Sequence, residues 1–316
     1  MITARLHDPA GGIAARASGT GNPSTGMSQQ HRRKRYRLKA RDRVLELGER
    51  TLIMGVLNVT PDSFSDGGRF LDPARAVERA WEIAEEGADI LDVGGESTRP
   101  GAAPVPPDEE CRRILPVLEA LGPSYPLPVS VDTRRSATAR AALELGAALI
   151  NDVSGLGHDP EIAAQAALFR AGLILVHMRG EPATMQLGPP SSDILAEIEA
   201  WAAHTVAAAR AAGVQPDGIV LDPGIGFGKT ARQNLEILRN LGRLAAIDLP
   251  WMVGTSRKSF IGVVLENPVS DRAWGTAATV AASIVFGAHI VRVHDVAAMR
   301  QVARMTDAII AERAGE

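Results

Sequence analysis

Cysteine is nearly missing from this chain of 316 residues, where Cys111 stands alone. A single thiol excludes an internal disulfide, and no Cys/His spacing of a zinc site occurs, which suits a reducing compartment. Cys111 lies in a charged, helix-like stretch, 108–118, with nothing beside it to lower a thiol pKa, and is expected to be a half-buried packing residue. Also missing is any apolar run long enough to span a bilayer, and the first thirty residues lack the apolar block of a secretory signal. A soluble cytoplasmic protein with no membrane partner is expected. The formal charge is only −3, and residues 31–43 hold eight basic side chains against Asp42, so the rest of the chain is distinctly acidic. Such a body is no nucleic-acid-binding surface.

What is present is alternation. Short runs rich in Val, Ile and Leu recur at 52–57, 89–93, 129–131, 148–150, 173–176, 219–221, 251–253 and 290–293, with helix-spaced segments between them. Eight such units predict an α/β fold, a closed parallel (β/α)8 TIM barrel. Asp72-Pro73 and Asp159-Pro160 read as N-caps followed by first-turn prolines, and Gly87, Gly146, Gly172 and Gly213 fall where helices should stop. Residues 36–47 alternate loosely and predict a small hairpin closing the amino-terminal end of the barrel. Residues 1–35, rich in Gly, Ala, Ser and Thr before turning basic, are expected to be a disordered tail, and 36–316 a single domain.

The residues that follow the apolar runs carry the functional signal. They are Asn58, Glu96 with Ser97-Thr98-Arg99, Asp132, Asn151-Asp152, His177, Asp222, Ser256-Arg257-Lys258, and Arg292 with His294. In a barrel these ends converge on one face, where active sites are built, and an open sheet would not gather them all. The loop after the first run, Asn58 to Gly68, has Asp spacing that fails the calcium-loop pattern. In Asp222-Pro-Gly-Ile-Gly-Phe-Gly-Lys-Thr230 the first glycine stands one residue too close to Gly228-Lys229 for a nucleoside-triphosphate loop. Its glycines are expected to bring backbone close to a flat ligand, with Asp222 accepting from ring nitrogens. Ser259, between a run and a helix, is suited to a carboxylate or phosphate. Arg292 and His294 share one side of the last strand and can meet one anion, whereas His289, five residues before His294, should face away and pack.

Taken together, Met54 to Gly68, Gly95-Glu-Ser-Thr-Arg-Pro-Gly101, Val131-Asp-Thr133, Ile150-Asn-Asp152, His177-Met-Arg-Gly180, Asp222 to Lys229, Ser256-Arg-Lys-Ser259 and Arg292-Val-His-Asp295 closely resemble the dihydropteroate synthase family. The resemblance runs from about residue 50 to the carboxyl end. It implies condensation of 6-hydroxymethyl-7,8-dihydropterin diphosphate with 4-aminobenzoate to 7,8-dihydropteroate and diphosphate, with Mg2+ on the leaving group. It implies a pterin pocket of Asp132, Asn151, Asp222 and Lys258, and a diphosphate site of Arg292, His294 and Asn58, the last as metal ligand. Thr98, Arg99, Phe227, Ser256 and Ser259 would surround 4-aminobenzoate, Met178 would form apolar wall, and Ser63 and Asp66 would lie on a closing loop. Catalysis would rest on Asp132, Lys258, Arg292 and His294. The resemblance also implies a homodimer. Methyltetrahydrofolate-dependent methyltransferases use a similar barrel but have no diphosphate to hold, so Arg292 and His294 weigh against them. A non-catalytic paralogue would have lost one of Asn58, Asp132, Lys258, Arg292 or His294, and all five are present.

Overall fold

The computed structural model describes residues 33–60, 73–97, 104–181, 184, 185, 188 and 190–312. A hairpin comes first, β1 (Tyr36–Ala40) and β2 (Arg43–Leu47), paired antiparallel from Tyr36↔Leu47 to Ala40↔Arg43. Then follow β3 (Leu52–Asn58), α1 (Pro73–Glu85), β4 (Ile90–Gly94), α2 (Pro107–Leu121), β5 (Val129–Asp132), α3 (Ser136–Glu144), β6 (Leu149–Asp152), α4 (Glu161–Leu168) and β7 (Gly172–Val176). The chain continues through α5 (Ile194–Ala211), β8 (Ile219–Asp222), α6 (Ala231–Arg239), α7 (Leu241–Leu244), β9 (Met252–Val253), α8 (Ser259–Leu265), α9 (Ala273–Val285), β10 (Ile290–Val293) and α10 (Val296–Ala311).

The eight parallel strands run β8-β7-β6-β5-β4-β3-β10-β9, and a parallel bridge between Leu221 and Trp251 brings the two ends together. The predicted barrel is therefore the observed one. Its pleat sorts every strand into two sets of residues. Ile53, Leu57, Leu91, Val93, Val131, Ile150, Leu173, Leu221 and Val291 pack outward against the helices. Leu52, Met54, Ile90, Leu149, Ile174, Val220, Met252 and Ile290 fill the lower interior with Leu38, Ala40 and Leu47 of the hairpin. The hairpin thus plugs the amino-terminal end, as its sequence suggested, and the apolar plug leaves the opposite end for polar side chains.

Local signals set the helix ends. Thr230 and Gln233 form a reciprocal capping box on α6, and Asp193 accepts the Ala196 N–H on α5. Gly87, Gly146 and Gly213 stand after α1, α3 and α5 at φ of 90°, 103° and 99°. Gly172 differs from expectation. It opens β7, and Arg170 takes the left-handed turn before it at φ 52°. A Cβ at Gly172 would lie 3.1 Å from Leu149 and 3.5 Å from Ala40, so this glycine serves packing over the hairpin. At the other proline signal, Asp159 accepts from both Ser136 N and Glu161 N, and α4 begins after Pro160. Asp72 lies outside the described residues.

Arg33 and Lys34, which the sequence assigned to the tail, are tied to the body. Arg33 donates to Thr51 Oγ1 at 2.6 Å and Ala288 O at 2.7 Å and pairs with Asp307, its side chain 5% exposed. His289 does pack away from the mouth: Nδ1 accepts Trp251 N–H at 3.2 Å, and Nε2 lies 3.0 Å from Lys34 O. Accepting at Nδ1 requires a neutral ring, and burial lowers the His289 pKa to about 4. Because the folded value lies below the unfolded one, this stability is complete above pH ~6.5 and is lost as pH falls toward 4. Between pH 7.5 and 5, wild type is expected to lose about 2 kcal/mol more than His289→Gln in urea unfolding. Equal losses would show that the ring is not held neutral.

Candidate active site

Continuing the pleat upward places acidic and basic groups on the interior of an otherwise apolar barrel. On β4 the inward position above Ile90 is Asp92; on β10 the one above Ile290 is Arg292; β5 and β8 end in inward-facing Asp132 and Asp222, and Asn151 faces inward one residue before the end of β6. Arg292 Nε donates to Asp92 Oδ2 at 2.6 Å and Nη2 to Asp132 Oδ2 at 2.8 Å, so one guanidinium spans two carboxylates. Asn151 Nδ2 donates to the same Asp92 oxygen at 3.0 Å. This turns Asn151 Oδ1 away, where it is buried without a hydrogen-bond partner.

Asp132, Asn151, Asp222 and Arg292 line one cavity with Phe227, Lys258, Val153, Val176, Ile225, Met252 and Gly254, and Asp92 lies behind Arg292 and Asn151 as their shared acceptor. Lys258 Nζ lies 3.9 Å from the centroid of the Phe227 ring, within cation–π range. Asp222 Oδ1 accepts the Gly224 N–H at 2.6 Å. Burial drives the ionisation shifts. It pushes the Asp132 carboxyl up to about 7, with Arg292 opposing and Asp92 reinforcing, and Asp222 up to about 6. It pulls the Lys258 ammonium down to about 8, helped by Arg292. The cavity therefore offers acceptors and donors with little net charge, a lining for a flat heterocycle bearing both.

Of the expected site residues, Asp132, Asn151, Asp222, Phe227, Lys258 and Arg292 share this cavity. Asn58 ends β3 half-buried, its Oδ1 on the same side of Gly94 as Asp132. His294 follows β10 and is tied to Ser256, whose Oγ lies 3.0 Å from Nδ1 and accepts the His294 N–H at 3.3 Å. Burial, with the Arg292 charge, lowers the His294 pKa to about 4, so the ring is neutral at pH 7. Met178 is half-buried just after β7, and Ser259 is exposed at the start of α8. Thr98, Arg99, Ser63 and Asp66 lie outside the described residues.

Asp92 was not among the expected site residues: it lies inside the run 89–93, and no polar neighbour such as the His294 beside Arg292 marks it. The available signal was the register, which puts it on the inward face one step below the mouth. The glycine loop also differs from expectation. A Cβ at Gly224 would fall 1.8 Å from His177 O, and one at Gly228 would fall 2.6 Å from Arg179 O. Gly224 and Gly228 bring this backbone against the end of β7, while a Cβ at Gly226 would lie 3.1 Å from Lys258 Cδ, on the cavity side. Arg257, between Ser256 and Lys258, adopts φ 59° and is held by paired bonds to Asp295 and by its N–H to Thr276. A non-glycine residue in this region costs free energy, and such strain gathers at functional turns.

Residues 54–294 match the pterin binding enzyme family, and the chain belongs to it. A dihydropteroate synthase of Synechocystis is 48% identical over 267 residues, 84% of this chain and 92% of that one. Its place within the family is with the dihydropteroate synthases, enzymes of folate biosynthesis. The dihydropteroate synthase of Xanthomonas albilineans solved with 4-aminobenzoic acid superposes with a TM-score of 0.81 at 40% identity, covering 88% of this chain and 99% of that one. The same enzyme in complex with 7,8-dihydropteroate gives 0.77 at 38% identity, with 87% and 99% covered. Among the described residues no helix is long and apolar enough to cross a membrane.

Proposed function

We propose that this chain joins 6-hydroxymethyl-7,8-dihydropterin diphosphate to 4-aminobenzoate, giving 7,8-dihydropteroate and diphosphate. The observation that carries the reading is the set Asp132, Asn151, Asp222, Lys258 and Arg292 around one cavity, Asn151 and Asp222 buried and the others half-buried. A pterin ring edge presents N–H donors and nitrogen or oxygen acceptors. Asn151 Oδ1, unpaired and buried, and the carboxylates of Asp132 and Asp222 suit the donors, and the Lys258 ammonium suits an acceptor. Arg292 serves the diphosphate end, and His294, neutral and held at Nδ1 by Ser256, has Nε2 to offer it as a hydrogen-bonding group.

In this reaction the carbon–oxygen bond to diphosphate breaks with its electron pair on oxygen. The aniline nitrogen lone pair forms the new bond and sheds its proton to water or diphosphate. Cleavage running ahead of attack would leave positive charge on the pterin methylene, which the Asp132 carboxylate stabilises from a fixed position. No protein nucleophile is required. Phe227, with Ser256 and Ser259 on the turn that opens α8, would face the aminobenzoate, as would Thr98 and Arg99; Met178 would supply wall, and Ser63 and Asp66 would help exclude water.

Magnesium fits this site as a substrate-borne ion. Asn58, its Oδ1 on the side of Gly94 that Asp132 occupies, would offer one neutral oxygen to the ion, and the diphosphate oxygens would supply most of the other ligands. When bound, the ion would neutralise charge developing on the diphosphate. A homodimer completes the reading. Val263, Val264, Val269 and Trp274 on and after α8 are 53–84% exposed, more apolar surface than one short segment of a monomer usually shows.

The test is diphosphate release by the purified protein given magnesium and the pterin diphosphate, with and without 4-aminobenzoate, while dihydropteroate is followed by chromatography. Product that requires all three components is expected. Tight pterin binding without turnover would make the chain a non-catalytic binder. Light scattering on the same preparation is expected to give twice the chain mass, and a monomer would remove the dimer from the reading.

A further inference from the structure

Lys229 is the one charged group of the glycine loop, and the reaction described above gives it no task. Its side chain is 4% exposed. Nζ donates to His177 O at 3.0 Å, Gly224 O at 2.8 Å and Phe227 O at 3.1 Å. An ammonium has three N–H donors, and all three are spent on backbone carbonyls. None remains for a phosphate, although the residue follows a glycine-rich run. One carbonyl belongs to the end of β7 and two to the loop itself, so the cation closes the loop on itself and staples it to the barrel. From outside, Asn234 Oδ1 accepts the Gly226 N–H at 2.7 Å, and Asn234 Nδ2 donates to Thr230 O at 2.9 Å.

We propose that Lys229 is a positioning residue, whose ammonium holds residues 223–228 in the one shape that keeps the Phe227 ring under Lys258 and in the cavity wall. The loop needs such a clamp, because Gly224, Gly226 and Gly228 all have positive φ, 68°, 85° and 66°, and flexible glycines alone do not select one conformation. A carbonyl-lined pocket is also the environment in which a buried cation is least costly. Burial nevertheless draws the Lys229 pKa down to about 7, with the carboxylates of Asp222 and Glu197 acting against that shift. Asp222 itself is fixed by the strand ladder, its carbonyl accepting the His177 N–H at 2.9 Å, so loss of the clamp falls on Phe227 more than on the pterin acceptors.

This inference rests on the synthase reading, and a double-mutant cycle on the full-length enzyme tests it. Lys229→Met is expected to raise KM for 4-aminobenzoate at least about tenfold while kcat stays within about threefold. Phe227→Leu is expected to raise the same KM, and adding Lys229→Met to it should change KM by less than about twofold. Strictly additive effects, an unchanged KM with only a lower melting temperature, or a fall in kcat alone would each overturn the proposal. If Lys229→Met fails to fold, Asn234→Ala, which frees the Gly226 N–H and removes the amide donor to Lys229 O and Thr230 O while leaving the ammonium in place, must shift KM in the same direction. Amide hydrogen exchange across 223–228 gives a readout apart from turnover. Faster exchange there in Asn234→Ala and Lys229→Met than in the β8 strand supports the clamp, and unchanged exchange overturns it. A wild-type enzyme that forms no dihydropteroate would fail the synthase reading while leaving this exchange comparison intact.

Discussion

Replacing Arg292 by alanine is expected to lower kcat/KM by at least about 10³ and to cost about 3–5 kcal/mol of folding stability. Both effects have one cause. Asp92 is wholly buried, with one oxygen unpaired and the other bonded to Arg292 Nε and Asn151 Nδ2. Removing the guanidinium leaves two interior carboxylates without the group that bridges them, and it takes away the cation at the diphosphate end. Arg292→Lys should restore little, because a single ammonium lacks the fork that reaches Asp92 and Asp132 together. Initial rates and urea unfolding of the two variants measure the two effects. An alanine variant within threefold of wild type in pterin-diphosphate affinity and within 1 kcal/mol in stability would remove Arg292 from the site.

For Asp132→Asn the expected result divides activity from stability. Binding of the pterin diphosphate should stay within about tenfold, since the amide oxygen still accepts, while kcat falls about 10²–10³, or about 3–4 kcal/mol of transition-state stabilisation. The stability effect has the opposite sign. Burial raises the Asp132 carboxyl from 3.8 to about 7, so its ionisation weighs against folding increasingly as pH rises from about 4 through about 7. Asparagine carries no such charge, and Arg292 keeps Asp92 as partner. The variant should therefore be about 1–2 kcal/mol more stable than wild type at pH 8, with the gain vanishing near pH 4. Chemical denaturation at the two pH values, beside single-turnover rates, checks this. A variant less stable at pH 8, or one that loses binding and kcat together, would contradict the role given to Asp132.

Much of the site could be read from the chain because a parallel barrel obliges strand ends to meet. Asp132, Asn151, Asp222 and Lys258 follow apolar runs, Arg292 stands one residue from the end of the last run, and all line the cavity. Asp92 was harder to see, since a carboxylate within a run of apolar residues looks like an interruption of the strand until the pleat direction is known. Ser256 shows a different limit. Its hydroxyl is engaged by His294, 38 residues away, and no local pattern announces that pairing. The loop at 224–228 was legible as glycine-rich, but whether its backbone turns outward to a ligand or inward to His177 and Arg179 depends on where β7 ends.

The order of strands and helices, the hairpin and the mouth of the barrel were determined by the sequence itself, because hydrophobic period, caps and turn residues act over a few neighbouring positions. The tertiary structure alone decided which charges face one another. The bridge from Arg292 to Asp92 and Asp132, the three carbonyls around Lys229 and the depressed or raised pKa values of the cavity all arise between residues far apart in the chain. Their energies come from burial and from distances of a few ångströms, quantities that exist only once the barrel has closed.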